Sequence, residues 1–187
     1  MRSLSCSCAL AAPLISALLL AACANQPAPE TSADAKILSD QVAGSIKNFK
    51  TADPTMDRFF KGSQGYAVFP VVRSAAVGVG GAYGQAEVYE KGKLIGNADL
   101  SQANVGASLG GQRYAEIIFF ENEGSLATFK TTQVEFDARA SAIAASAGAA
   151  ATAAYQKGVA VFTLPEGGLM FQAAIGGQKF RFTPLAE

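Results

Sequence analysis

The sequence predicts an α+β fold in which short N-terminal helices precede a curved, possibly closed antiparallel β-sheet with one small internal helix. Before residue 62, apolar side chains recur at helical spacing. After residue 65, apolar and polar residues alternate as they do in half-buried strands. Glycine and alanine are abundant and tryptophan is absent, which favours close backbone packing and tight turns over a bulky core.

The first helix is predicted from about Ala35 to Lys50, and either Ser32 or Asp34 can cap it. Asp53-Pro54 begins a second, short helix that ends at Gly62, because Asp is a good cap and Pro suits the first turn. The apolar residues of the first helix share one face and form a stripe: Leu38, Val42, Ile46 and Phe49.

From Gly65 onward the pattern predicts strands separated by turns. Pro70 is expected to end the first strand, and Glu90–Lys93 forms a turn. A short helix is predicted at 124–130, a strand at 135–144, and the conformation of 145–154 is left open. The remaining strands are expected at 66–70, 85–89, 94–100, 158–164, 169–175 and 179–183, and residues 104–120 are expected to form one long extended stretch that passes through Gly110-Gly111.

Residues 77–84, Val-Gly-Val-Gly-Gly-Ala-Tyr-Gly, superficially resemble a glycine-rich phosphate-binding loop. Such a loop needs a helix after it, so that the helix N-terminus meets the phosphate. A strand follows here instead, so the pattern favours glycines within a bent strand. The glycine pairs at 80–81, 110–111 and 176–177 are interpreted as similar bending points.

The first 22 residues are typical of a secretory signal, with Arg2 followed by a mostly apolar run that is too short to span a membrane. The run ends in Leu20-Ala21-Ala22-Cys23, which is similar to the processing site of bacterial lipoproteins. Cys23 is therefore the predicted site of lipid attachment and the first residue of the mature chain. The alternative is ordinary secretory cleavage after Ala24, which the small residues on either side of the cysteine would also permit.

Residues 23–34 then form a lipidated, flexible tether, and residues 35–187 form one domain. Cys6 and Cys8 leave with the signal, so the mature chain can form no internal disulfide. The chain has no histidine, which excludes the usual zinc sites and serine or cysteine catalytic triads. No metal, cofactor or catalytic residue is predicted. The balanced formal charge argues against nucleic acid as a partner.

The helical region carries four basic residues that could contact lipid head groups: Lys47, Lys50, Arg58 and Lys61. The apolar stripe beside them has two interpretations. It packs on the domain's own sheet, which the pattern favours, or it lies on a membrane. Six acidic residues could pair as catalytic carboxylates, although nothing in their spacing fixes such a pair: Glu87, Glu90, Asp99, Glu116, Glu121 and Glu123.

Four segments resemble the SYLF domain family: 65–70 (GYAVFP), 78–84 (GVGGAYG), 95–101 (IGNADLS) and 110–120 (GGQRYAEIIFF). The tail at 158–163 and 168–180 is similar to the last strands of that family. The resemblance implies lipid binding, since eukaryotic members bind phosphoinositide membranes through an N-terminal amphipathic helix. Bacterial members are commonly envelope lipoproteins. The family has no established catalytic residues to carry over.

The sequence therefore predicts a non-catalytic envelope lipoprotein whose domain binds membrane phospholipid. The similarity to bacterial lipoproteins implies the outer membrane, with the domain facing the periplasm, because Ala24 rather than an aspartate follows the cysteine. The alternative is a structural or protein-interaction module of the envelope, for which an envelope protein is the partner and Cys23 makes the only lipid contact.

Overall fold

A computed structural model describes residues 32–131, 134–135, 143–165 and 177–185. The fold is α+β, as the sequence predicts. Among the described residues, no helix combines the length and the hydrophobicity that a membrane span requires. The elements are α1 (Ser32–Ala52), a 3-10 turn (Pro54–Met56), α2 (Asp57–Gly62), β1 (Gly65–Glu90), β2 (Lys93–Phe120), α3 (Glu123–Lys130), β3 (Val134–Glu135), β4 (Ile143–Ala144), α4 (Ala149–Thr152), β5 (Val159–Pro165) and β6 (Gln178–Pro184).

The sheet is built around β2, which pairs with β1 along almost its whole length. On its other edge, β2 pairs first with β6 and then, near its end, with β5. These pairings are antiparallel, and the short β4 runs parallel to β5. In the described part of the chain, the sheet order runs from β3 through β6, β2 and β5 to β4, so the sheet is open and the closed alternative is wrong.

Two long strands replace the several short ones that the sequence predicts. Pro70 was expected to end a strand, but β1 continues past it, and the register shifts between Phe69 and Val72. Such a bulge accommodates a proline, which has no N–H for the ladder. β2 continues through Gly110-Gly111, which confirms the long extended stretch predicted for 104–120. The glycine-rich segment 77–84 lies within β1, which confirms the bent-strand interpretation.

β1 is so strongly curved that its first residue, Gly65, lies close to the backbone of Tyr89 near the end of the same strand. A Cβ added to Gly65 would lie 2.4 Å from the carbonyl oxygen of Tyr89. A Cβ on Gly84 would lie 3.2 Å from the carbonyl oxygen of Val71, so the middle of the strand also approaches its own earlier part. Glycine permits these approaches because it has no side chain to collide.

Alternate side chains of the curled sheet enter two separate cores. The inner core lies within the curl, where Phe69, Leu100 and Phe180 pack together under Leu126 and Phe129 of α3. The helix-facing core lies on the other side of the sheet and contains side chains of α1, α2 and α4. Its aromatic centre is a set of contacting rings: Phe59, Phe60, Tyr66, Phe119 and Phe162.

The apolar stripe of α1 belongs to the helix-facing core. Leu38, Val42 and Phe49 are buried there, and Ile46 is partly buried against it. The packing interpretation of the stripe is therefore confirmed. The stripe contributes to stability by removing apolar area from water, at about 25 cal/mol per Å².

The later elements agree with the sequence where the structure describes them. α3 begins with a capping box in which Asn122 and Ser125 bond each other's backbone. β5 and β6 lie where strands were expected, and the open region 145–154 contains α4. Most of the predicted strand at 135–144 and all of that at 169–175 lie outside the described residues, as does Cys23.

Candidate functional site

The β1–β2 turn forms one end of the sheet and carries exposed charged and apolar side chains. Lys91 and Gly92 both have positive φ angles, 49° and 78°, which are typical of the tight turns that connect antiparallel strands. The backbone N–H of Lys91 donates to the carbonyl oxygen of Gln64 at 3.0 Å. The turn is thus fixed against the chain that leaves α2, and Lys91 and Lys93 are both exposed beside it.

Two exposed leucines lie at the same end. Leu94 follows Lys93 directly and is 37 % exposed, and Leu185 is 46 % exposed. The backbone N–H of Leu185 donates to the carbonyl oxygen of Ile95 at 3.2 Å. Because Ile95 directly follows Leu94, the two leucines lie on neighbouring, hydrogen-bonded segments of the protein. Among the described residues, the one other exposed large hydrophobic side chain is Ile37. We call Lys91, Lys93, Leu94 and Leu185 the hairpin-end patch.

One carboxylate joins three elements beside this patch. Glu90 accepts a hydrogen bond from Gln64 at 3.2 Å and from Lys130 of α3 at 3.3 Å. These two contacts, the Gln64 bond first, lower the pKa of Glu90 against the opposing effect of burial. Glu90 therefore stays ionised and is already paired, while the lysines of the turn face outward.

Two of the four basic residues predicted from the sequence are held by the protein itself. Lys50 pairs with Asp57 at 2.9 Å and lies over the ring of Phe60. Its hydrogen bond and charge lower the pKa of Asp57. Arg58 lies over the ring of Phe59, and its guanidinium also donates to a backbone carbonyl beyond α4. These side chains are engaged in packing α2 onto the domain.

The other two predicted residues are more accessible. Lys61 is exposed and lies 3.7 Å from Asp57. Lys61 lies three residues before Gln64. The carbonyl oxygen of Gln64 accepts the hydrogen bond from the Lys91 N–H at the β1–β2 turn. Lys47 is exposed on α1 and makes no ion pair with any described residue. Lys61 is thus close in sequence to the backbone that contacts the β1–β2 turn, whereas Lys47 lies on α1.

Sequence reasoning missed the hairpin-end patch because it treated 90–93 only as a turn. One signal was available, since Lys91 lies in the turn, Lys93 follows it, and the apolar Leu94 comes directly after them. The contribution of Leu185 could not be found from local pattern. It depends on the pairing of β6 with β2, where Pro184 lies opposite Gly96.

The most heavily bonded buried carboxylate is Asp53, which caps the 3-10 turn. It accepts from the backbone N–H and the hydroxyl of Thr55, at 3.0 and 2.6 Å. It also accepts from the backbone N–H groups of Gly148 and Ala150, at 3.2 and 2.7 Å. Burial opposes the charge, but these bonds outweigh it and lower the pKa of Asp53. The residue ties the α1–α2 connection to α4.

Two further carboxylates pair with tyrosines rather than with each other. Glu87 is buried and accepts a hydrogen bond from the hydroxyl of Tyr89, whose pKa is raised by burial and by this neighbour. Asp99 accepts from Tyr83 at 3.4 Å, and burial raises its pKa. Burial, followed by the charge of Asp99, raises the pKa of Tyr83 to about 12.

Glu116 is fully buried in the inner core. Its Oε2 accepts a hydrogen bond from Gln178 Nε2 at 3.2 Å, and burial raises its pKa to about 7. The described residues contain no group of three or more Asp, Glu, His or Cys side chains that could hold a metal ion. Asp53, Glu87, Asp99 and Glu116 each accept a hydrogen bond from a different side chain.

No family model matches the chain. The chain is similar to Beta cell expansion factor A of Aeromonas veronii, with 28 % identity over 155 residues. That match covers 81 % of this chain and 59 % of the relative, so the chain spans little more than half of the relative's length.

Proposed function

We propose that this protein is a non-catalytic, SYLF-like envelope lipoprotein whose domain binds anionic phospholipid surfaces through the hairpin-end patch. The acyl group on Cys23 holds the chain to the outer membrane, on the periplasmic side. The domain then makes a second, separable contact with lipid. The resemblance of four long segments to the SYLF family supports the lipid-binding part of this proposal.

The observation that carries the proposal is the composition of the patch. Leu94 and Leu185 are exposed at one end of the sheet, and Lys91 and Lys93 stand beside them. Exposed apolar side chains next to lysines suit the interface of a bilayer, where the apolar group enters the acyl boundary and the ammonium groups meet anionic head groups. Each lysine near such a surface is worth about 1 kcal/mol.

The helical region has a different part in this proposal. Because the stripe of α1 is buried in the helix-facing core, it is not free to lie on a membrane. Lys61 is exposed at the end of α2, whereas Lys50 and Arg58 hold α2 to the domain. Lys47, which is exposed on α1, has no part in the proposed lipid contact.

Co-sedimentation with vesicles tests the patch. The chain beginning at Ala24 is used, so that no acyl group can supply attachment, with vesicles of mixed phosphatidylglycerol and phosphatidylethanolamine. Lys91→Gln combined with Lys93→Gln is expected to weaken binding about thirtyfold, the loss of about 2 kcal/mol at 1 kcal/mol per lysine. Raising the salt concentration is expected to weaken wild-type binding as well.

The matched control is Lys36→Gln combined with Lys179→Gln. Both lysines are exposed, and Lys179 lies six residues before Leu185, about 20 Å along β6. The control removes the same charge and is expected to bind like wild type. Equal weakening by the two double variants would contradict a localised patch. A stable protein partner that co-purifies in the absence of any vesicle binding would favour the interaction-module alternative.

A further inference from the structure

The inner core contains one carboxyl group in an otherwise apolar stretch of β2. Glu116 alternates along the strand with Tyr114 and Ile118, which belong to the inner core. None of its surface reaches solvent. It meets Gln178, the first residue of β6, whose side chain is also buried. A carboxylate in such surroundings is costly unless it is paired or protonated.

Two oxygens in this contact lack a partner. Gln178 Nε2 donates to Oε2 of Glu116, but Oε1 of Glu116 and Oε1 of Gln178 have no hydrogen-bond partner in the structure. Both are acceptors when Glu116 is ionised. A single proton on the carboxyl group adds the one donor that this pair is missing, so the protonated acid and the amide can bond each other twice.

We propose that Glu116 and Gln178 form a proton-sensitive clasp, which holds the start of β6 to the inner face of β2 while Glu116 is protonated and weakens when the proton is lost. Protonated, the carboxyl group donates to Gln178 Oε1 and accepts from Gln178 Nε2. Ionised, it keeps the bond from Gln178 Nε2 but buries a negative charge and leaves Gln178 Oε1 without a donor, and β6 opens more often.

Few groups near Glu116 can stabilise the negative charge of its ionised carboxylate. In the described part of the chain, Tyr114 is the one titratable side chain whose pKa responds to the charge of Glu116. Burial, and then the charge of Glu116, raises the pKa of that tyrosine, so it stays neutral. The paired residues on the flanking strands are Phe69 of β1 and Thr163 of β5, neither of which carries a charge.

The sign of the pH dependence follows from the direction of the shift. Burial raises the pKa of Glu116 from 4.5 to about 7, so between these values the folded protein keeps a proton that the unfolded chain has released. Stability is therefore greatest below the unfolded value and falls as pH rises toward 7. The chain has no histidine, so no imidazole titrates in this window.

β6 is also the strand that leads to Leu185, one of the two leucines of the hairpin-end patch. Opening of β6 would therefore displace part of that patch. This consequence rests on the proposed function, but the clasp does not, because the experiment below contains no lipid and its failure would leave vesicle binding untouched.

The test is chemical unfolding of the chain from Ala24 onward between pH 5 and pH 8, compared with Glu116→Gln. Glutamine supplies permanently the donor that glutamate supplies only when protonated. The wild-type unfolding equilibrium constant is expected to rise by roughly 50- to 100-fold more than that of the variant across this range. Hydrogen exchange of the β6 backbone N–H groups is expected to accelerate with pH in the wild type beyond the intrinsic chemical increase, but not in the variant.

A second measurement keeps the proposal testable if Glu116→Gln fails to fold. The infrared band of a protonated carboxylic acid, followed in the wild-type protein, is expected to persist at pH 6 and to disappear between pH 6 and pH 8. Gln178→Leu removes the amide bond that lowers the pKa of Glu116 against the effect of burial, so the acid band is expected to persist to higher pH than in the wild type. Equal pH dependence in wild type and Glu116→Gln, or a fully ionised carboxyl group at pH 6, would overturn the clasp.

Discussion

Gly65→Ala is expected to destabilise the protein by about 3 kcal/mol, because the curl of β1 leaves no room for a side chain at this position. The added Cβ would lie 2.4 Å from the Tyr89 carbonyl oxygen and 3.1 Å from the Leu126 side chain. The Tyr89 contact is with backbone, so the strand itself must move. Urea unfolding of the wild type and the variant measures the loss.

Gly44→Ala is the matched control, since it makes the same chemical change on the exposed face of α1. A Cβ at position 44 would have nothing within 4 Å. Alanine is the better helix former, so this variant is expected to gain about 0.5–1 kcal/mol. A Gly65→Ala protein as stable as the wild type would contradict the close approach of the two ends of β1.

Asp53→Ala is expected to lower the free energy of unfolding by about 2–4 kcal/mol, because it removes a helix cap and leaves several buried N–H groups without an acceptor. The lost bonds come from Thr55, Gly148 and Ala150. The connection between α1 and α2 would then separate from α4, and hydrogen exchange at Ala150 should rise. Urea unfolding at pH 7 gives the magnitude.

Asp53→Asn separates the geometry of this site from its charge. Asparagine keeps one acceptor oxygen, so it is expected to lose about half as much stability as alanine at pH 7. The pKa of Asp53 is lowered from 3.8, so its contribution is present above that value and is lost as pH falls through the lowered pKa. The difference in the free energy of unfolding between the wild type and Asp53→Asn should therefore become smaller below pH 4. A gap that stays constant would show that the charge has no part.

The α+β class, α1 and α3 could be predicted because each depends on local pattern. The stripe at Leu38, Val42 and Phe49 has helical spacing, and its burial followed from that spacing. The continuity of β1 could not, because proline and glycine normally interrupt strands. Its passage through Pro70 depends on a bulge that is specified by pairing with β2.

The candidate site likewise combines residues that local sequence reveals with residues that only long-range strand pairing brings together. The lysines of the turn were visible in the sequence, but Leu185 joins them only through the long-range pairing of β6 with β2. Similarly, Glu116 stands out as an acidic residue between Tyr114 and Ile118, yet nothing local identifies Gln178 as its partner. Ion pairs such as Lys50 with Asp57 likewise depend on how the end of α1 packs against α2.

The most direct test of the proposed lipid contact is a fluorescent probe at Leu94. The three cysteines of the sequence are Cys6, Cys8 and Cys23, so the chain from Ala24 has none, and Leu94→Cys or Lys47→Cys gives a single labelling site. With an environment-sensitive label and phosphatidylglycerol vesicles, emission from position 94 is expected to shift to shorter wavelength, while emission from position 47 stays unchanged. A shift at position 47 alone, or at neither position, would contradict lipid binding through the hairpin-end patch.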